Sequence, residues 1–534
     1  MKKTDKTIVL NCDRVERRLA LLHNGRLEEY QIERDDDTPK VGDIFLGRIV
    51  NLDLLLQAAF VDIGAPKNAF LHFSEMLSGC SGLDDKNHST ETGICSKRRK
   101  SDDKNSLSKN SAESRRRKDD INLENIPKIF RPGMEILVQV IKAPISTKGA
   151  RVTTDISIPG RYLVLMPYNE HIGLSNRIES TTERERLKKI LSQQELPEGM
   201  GMICRTAGEG RKSAFFKNDL HLLLDYWENI SKDMERFTAP RLLYTEPNLV
   251  ERTIRDFMTD EINGGIVVDN KEAKAKIVET LKRCGAKKLA SKVTFYDKST
   301  PIFDAWHINE QLKSVFQREV KLAGGGAIVI DETEALIAID VNSGRGKNGQ
   351  DQPEFILKTN LEAAEEIARQ LRLRNVGGLV VIDFIDMKSQ SDRDEVMRHM
   401  KKLVKDDKAK TKLLPISKMG LMEMTRQREQ ESILDQVYTP CPYCNGSGLV
   451  KSAVTVSAEI QRSLAAVLRD KKYKNVPVRV IMHPDVLAKL RNEDEKFFSE
   501  LEKKYHHELS FRADPELHHE EFRLVDPDTG AELN

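Results

Sequence analysis

The spacing of apolar residues changes character several times along this chain. Apolar runs at 7–11 and 15–22, with a further run beyond Asn24-Gly25, predict a β-hairpin, because Asn-Gly suits a two-residue turn. Residues 42–76, GDIFLGRIVNLDLLLQAAFVDIGAPKNAFLHFSEM, are short β-like runs broken by Gly, Asp and Pro-Lys-Asn, the spacing of a small barrel. From 79 to about 124 this pattern stops. Ser, Asp, Asn, Lys and Arg dominate, aromatic residues are absent, and two basic clusters occur at 97–100 (KRRK) and 115–118 (RRRK). Such a segment cannot bury enough apolar surface to offset its ordering, and it reads as a disordered insertion. Strand-like sequence returns at 131–158 and 161–166, so the insertion interrupts one β-domain.

Helical periodicity dominates 181–237. A mixed unit follows, with helices at 251–259 and 271–284 and strands at 266–269 and 293–296. GGAIVIDETEALIAIDV predicts strand, turn and strand, and 355–374 predicts an amphipathic helix ending before Gly377-Gly378. GGLVVIDFIDM is then a nearly continuous apolar run, as expected of a strand covered on both faces. Beyond 454 two helices flank a strand at 476–482. No tandem repeat is present.

Composition narrows the class. At 534 residues the chain is several domains long. Only 39% is apolar and 32% is charged, yet 86 Lys+Arg against 84 Asp+Glu leave a net charge of +2. A uniformly basic coat is excluded, so any polyanion must be held by local patches. No run of about 20 apolar residues exists to span a membrane, and the first residues lack a signal-peptide core. Seven cysteines without regular spacing do not form a disulfide framework, which points to a reducing cytoplasm.

Four constellations carry chemistry. Asp340 and Asp383 each stand where an apolar strand (ALIAID, GLVVID) meets polar sequence, and ligand sites of α/β sheets form at the carboxyl ends of strands. Two carboxylates brought together there need a cation between them; Mg²⁺ suits, since it takes one or two carboxylates and bridges to phosphate. Asn342, two residues past Asp340, points to the same side. The same aspartates also fit as caps of the following turns, and Asp386 fits as ligand or cap. Cys441-Pro-Tyr-Cys444-Asn-Gly-Ser-Gly reads as half of a zinc shell, with the matching pair of a second chain completing it; a redox motif is the alternative, although that should open a helix. Phe60 and Phe70, with Lys67 and Lys148 beside them, form either a stacking face for single strands or part of a core. Arg205 and Thr206 in CRTAGEG can cradle a terminal phosphate, or simply form a surface turn.

Together these segments resemble the ribonuclease E/G family, and within it the short ribonuclease G type, since no long disordered scaffold follows. QAAFVDIG, YLVLMP, CRTAGEG, AIDVNSG, TNLEAAEEIARQLRLRNVGGLVVIDFIDM and CPYCNGSG stand in the family's order, and the match spans nearly all of the chain outside the insertion. The resemblance implies a Mg²⁺-dependent endoribonuclease that cuts single-stranded RNA to 5′-phosphate and 3′-hydroxyl ends, is stimulated by a 5′-monophosphate, and acts in the cytoplasm on rRNA precursors and mRNA. Asp340 and Asp383 then match magnesium ligands, with Asn342 as their catalytic-site neighbour. Cys441 and Cys444 match a Zn²⁺ link shared between two protomers, which pair further into dimers of dimers. Phe60, Phe70 and Lys148 match an RNA-contacting barrel face. Gly160, the backbone of Val164, Arg205 and Thr206 match the pocket for the 5′-phosphate.

The implied architecture is multidomain α+β and α/β. An RNase H-like subdomain is split between 1–38 and 251–314. It is interrupted by an OB-fold barrel (39–153, with the insertion) and a 5′-phosphate sensor region (154–250). A DNase I-like catalytic subdomain (315–437), a zinc link (438–451) and a small C-terminal domain (452–534) follow. Two departures stand out: the insertion, and Lys410 at a position on the RNA path that is often arginine, which keeps charge without the planar fork. The rival readings are a non-catalytic RNA-binding scaffold and a DNA nuclease.

Overall fold

The computed structural model describes residues 6–34, 38–76, 126–144, 148–257, 262–283, 286–344, 352–405, 407–428, 431–473, 476–493, 495–505 and 508–533. The 79–124 insertion lies outside these residues. The chain divides into two compact units, 1–436 and 437–534. The architecture is mixed α+β and multidomain, and no described helix is long and apolar enough to cross a membrane.

The expected hairpin turns at Asn24-Gly25 and belongs to a meander of Lys6–Cys12, Glu16–His23 and Arg26–Arg34. Lys6–Cys12 also pairs in parallel with Gly265–Val268, which pairs in parallel with Val293–Phe295. Successive side chains of a strand point to opposite faces. Accordingly Ile8 and Leu10 pack with Leu249, Ile254 and Ile277 of two helices, while Val9 packs with Phe303, Ile308 and Leu373 on the other side.

Five strands close into a barrel: Ile44–Asp53, Ala58–Asp62, Ala69–His72, Arg151–Thr153, then Glu135–Lys142, which pairs back to the first. In chain order the strands run 1-2-3-5-4-1, an OB-like closure. Small and branched side chains fill its interior, among them Ala59, Val61, Leu71, Val138, Val140 and Val152. Beside it lies a four-stranded sheet packed by helices Thr181–Ser192 and Ser213–Arg236. The helical expectation for 181–237 holds for those two helices but not for Gly201–Cys204, a strand paired on both sides. GMIC is too short to show a period, and Pro197 and Gly199 had already ended the helix pattern.

The last sheet of this unit has six strands, and Leu336–Asn342 and Gly378–Asp383 run side by side in parallel at its centre. Helix Gln352–Leu373 makes the crossover between them. Ile337, Ile339, Val341, Val380 and Ile382 are buried with Ala364, Ile367 and Leu371 of that helix and with Val396 and Met400 of helix Gln390–Lys405. Here the expectation of cover on both faces is corrected. Burial alternates along Gly378–Asp383, and Leu379 is 41% exposed, so one face is open. The apolar run concealed this because Leu379 and Val381 stand on the open face.

The second unit carries three strands, Val478–Met482, Leu509–Ala513 and Phe522–Val525, with helices Ala453–Arg469, Pro484–Glu493 and Glu495–Tyr505. Two helices around one strand was therefore too sparse. LSFRA and FRLV are short and half polar, which hides them from a periodicity reading.

Candidate active site and its flanking surfaces

Asp340 and Asp383 are direct partners in the parallel register of the two central strands, and so sit on neighbouring strands about 4.8 Å apart. Both are exposed at the carboxyl ends of their strands, on the open face, while the intervening Ile339 and Ile382 are buried on the other. Asn342 shares this face and donates its amide to Asp340 Oδ2 at 2.7 Å. Partial burial pushes the Asp383 carboxyl above its ordinary value, and the negative charges of Asp340 and Asp386 push it further. Asp386 stands three residues along the loop that follows the strand.

That loop is clamped. Asn360, fully buried on helix Gln352–Leu373, donates its amide to the Ile385 carbonyl at 2.9 Å and accepts the Ile385 N–H at 3.1 Å. Phe384 N–H donates to the Gly420 carbonyl at 3.2 Å. Sequence reasoning missed Asn360. Its signal was a polar residue inside the apolar stripe of TNLEAAEEIARQL.

Hard oxygen donors gathered at a rim that repels further negative charge fit Mg²⁺, which keeps several waters and needs only one or two carboxylates. Elsewhere, in the second unit, His483, Asp485 and His519 form the tighter cluster: their ligand atoms all lie within 4.8 Å of one another.

On the barrel, Phe60 and Phe70 are cross-strand partners with ring centroids 6.1 Å apart, edge to face. Both are half-buried and point away from the interior that their neighbours Ala59, Val61, Ala69 and Leu71 fill. The core reading is thus set aside. In register with them stand Asn51 on one side and Arg151 on the other, itself partnered by Lys142. Lys148 is exposed, one residue before Gly149, where a side chain would run into the Asn68 carbonyl oxygen.

Gly160 and Arg205 are brought together: the guanidinium donates to the Gly160 carbonyl at 2.6 Å and to Asp256 Oδ1 at 2.7 Å. Arg205 N–H also donates to the Tyr162 carbonyl at 2.8 Å. Thr206 is exposed at the start of the next turn, and Val164 lies in the strand between Pro159 and Ile203. A side chain at Gly160 would meet Asp219 Oδ2 at 2.7 Å. Asp219 accepts the N–H groups of Arg161, Tyr162 and Leu163 at 3.1, 2.8 and 2.9 Å and so shapes this loop. Burial pushes its carboxyl up, and those hydrogen bonds oppose the shift. Asp219 was not foreseen either; an acid inside an otherwise apolar helix stripe was the only trace.

Cys441 and Cys444 lie in consecutive turns, with no helix opening at either. The Cys444 thiol is drawn below its ordinary value, first by the Gly448 N–H donating to its sulfur at 3.2 Å, with the Cys441 side chain adding to the effect. Two soft donors side by side fit half of a tetrahedral zinc shell.

Comparison with known proteins places the chain in a family. The ribonuclease E/G family model matches residues 157–429, and the model of the RNase E/G thioredoxin-like domain matches 440–527. The chain is 35% identical to ribonuclease G of Escherichia coli over 97% of its length and 99% of that protein. It is 38% identical to ribonuclease E of the same bacterium, covering 86% of this chain but 40% of the relative, and 36% identical to ribonuclease E of Haemophilus influenzae, covering 99% and 53%. The chain belongs to the ribonuclease E/G family. As a member of it, the protein is an endoribonuclease.

Proposed function

We propose that the protein is a Mg²⁺-dependent endoribonuclease that cuts single-stranded RNA on the open face of the central sheet. The observation that carries this reading is the register of Asp340 with Asp383, with Asp386 close enough to act on the latter. Asp340 and Asp383, with Asp386 beside them, would hold the ion. When bound, magnesium polarises the scissile phosphodiester and favours attack by water. Asn342 fixes the Asp340 carboxylate, and the Asn360 clamp fixes the loop of Asp386. Products would carry 5′-phosphate and 3′-hydroxyl ends. The barrel supplies Phe60 and Phe70 as stacking surfaces and Lys148 as a cation; paired bases hide the faces such stacking needs, which favours single strands. Phe60→Ala or Phe70→Ala should weaken oligoribonucleotide binding by about 1–3 kcal/mol without lowering the melting temperature. Fluorescence anisotropy beside a thermal melt reads both.

Stimulation by a 5′-monophosphate is assigned to Gly160, the Val164 backbone, Arg205 and Thr206. Arginine has five N–H donors, so bonds to Gly160 and Asp256 leave others for phosphate. Cleavage of matched 5′-phosphate and 5′-hydroxyl oligoribonucleotides, with and without Mg²⁺, tests the whole reading. Cleavage independent of added divalent ions would overturn it. Arg205→Ala should lower the 5′-phosphate rate about tenfold or more, in line with charge-assisted hydrogen bonds, and leave the 5′-hydroxyl rate unchanged.

The remaining assignments follow the family. Cys441 and Cys444 share Zn²⁺ with a partner's pair in a dimer, and dimers associate into a dimer of dimers. The RNase H-like and DNase I-like names suit the first and last sheets of the 1–436 unit. The cellular setting is the cytoplasm, where the enzyme matures rRNA precursors and turns over mRNA.

A further inference from the structure

We infer that His483, Asp485 and His519 form a metal site of their own in the 437–534 unit, one that takes a borderline divalent cation of the zinc class. His483 directly follows the central strand of the three-stranded sheet, and Asp485 lies in the first turn of the helix that follows. His519 comes from the loop that leads into Phe522–Val525. Three chain segments therefore meet at one point, and their ligand atoms lie within 4.8 Å of one another.

The state of each nitrogen supports the assignment. His483 Nδ1 lies 3.5 Å from Asp485 Oδ2 and takes the Asp485 N–H at 3.3 Å, a contact that sets the carboxylate beside the ring and that an ion would displace. His519 Nδ1 is screened from solvent and has no hydrogen-bond partner. The two imidazole rings lie with centroids 5.2 Å apart. The neighbouring His518 is committed elsewhere: its Nε2 donates to the Tyr443 carbonyl at 2.6 Å, and its Nδ1 accepts the Glu520 N–H at 3.2 Å. Imidazoles with one carboxylate suit Zn²⁺, with water as the fourth ligand. A tetrahedral ion needs donors about 3.4 Å apart. Asp485, 72% exposed at its side chain, is free to close that gap.

The site also has a structural consequence. The loop that carries His519 grips Tyr443 between the two cysteines, through His518 and through the His519 N–H, which donates to Tyr443 Oη at 3.1 Å. An ion at the cluster pins this loop to the end of the central strand, and with it the support of the cysteine turn.

The test uses the full chain with Cys441→Ser and Cys444→Ser, stripped with a chelator and titrated with Co²⁺ as an optical probe for zinc. With Mg²⁺ in excess to occupy the Asp340/Asp383 site, it should bind about one Co²⁺ per chain, with visible ligand-field absorption but no sulfur-to-cobalt band. His483→Ala or His519→Ala in that background should abolish the signal, and Asp485→Asn should weaken binding about tenfold, or ~1.4 kcal/mol. Circular dichroism checks that each variant folds. Should a histidine variant fail to fold, the exposed Asp485→Asn change still decides. No cobalt bound by the serine variant, or affinity unchanged on removing His483, His519 or Asp485, overturns the site.

Discussion

Replacing Asp340 with asparagine should leave the protein folded and able to bind RNA, yet lower cleavage by about a thousandfold or more. The side chain is exposed on the open face, and it supports no core. What it supplies is charge. Asparagine keeps the volume and can still meet Asn342, but it presents a weak neutral ligand where an anionic oxygen is needed. Losing several kcal/mol of transition-state stabilisation is about a factor of ten per ~1.4 kcal/mol. Asp383→Asn should behave alike. Single-turnover cleavage of a labelled oligoribonucleotide, beside a thermal melt and a binding titration, separates the effects. A variant that cuts at the parent rate would exclude the carboxylate pair as the reactive centre.

Asp407→Ala should produce the largest loss of stability. Asp407 and Arg426 are 4% and 5% exposed at their side chains and meet through two hydrogen bonds, Nε to Oδ2 at 2.8 Å and Nη2 to Oδ1 at 3.1 Å. Arg426 also donates to the Val376 carbonyl at 2.5 Å, which ties strand Leu421–Arg426 to the chain entering Gly378–Asp383. Taking away one partner strands a buried charge and costs about 3–5 kcal/mol. Replacing both residues with apolar side chains of like volume should restore much of that stability, since the desolvation penalty goes with the charges. Chemical denaturation of the single and paired variants measures the difference. An equal loss in both would show that packing, not the isolated guanidinium, is responsible.

Much of this was legible before any coordinates. Asn24-Gly25 marked its turn, the strand-end position of Asp340 and Asp383 suggested convergence, and the family's motifs stood in order. Other parts were hidden for identifiable reasons. Asn360 and Asp219 act through buried side-chain bonds to backbone far away in sequence, and a single polar residue in a helix stripe does not announce its partner. The open face was disguised because Leu379 is apolar yet exposed and Val381 is apolar yet only half-buried. Phe60 and Phe70 could not be sorted into interior or exterior until strand register placed them opposite each other. The histidine cluster joins 483 with 519 across a loop, and no local spacing could have shown it.

The pairing of Lys6–Cys12 with Gly265–Val268 has a consequence for synthesis. The Lys6–Cys12 strand must wait for a neighbour made some 250 residues later, whereas every strand of the barrel is complete by residue 153. Since domains tend to fold as units while the chain is still growing, the barrel should close first, and the opening hairpin should linger with one edge bare. That interval is when a nascent chain is most exposed to faulty strand pairing, and it ends only as the middle of the polypeptide emerges.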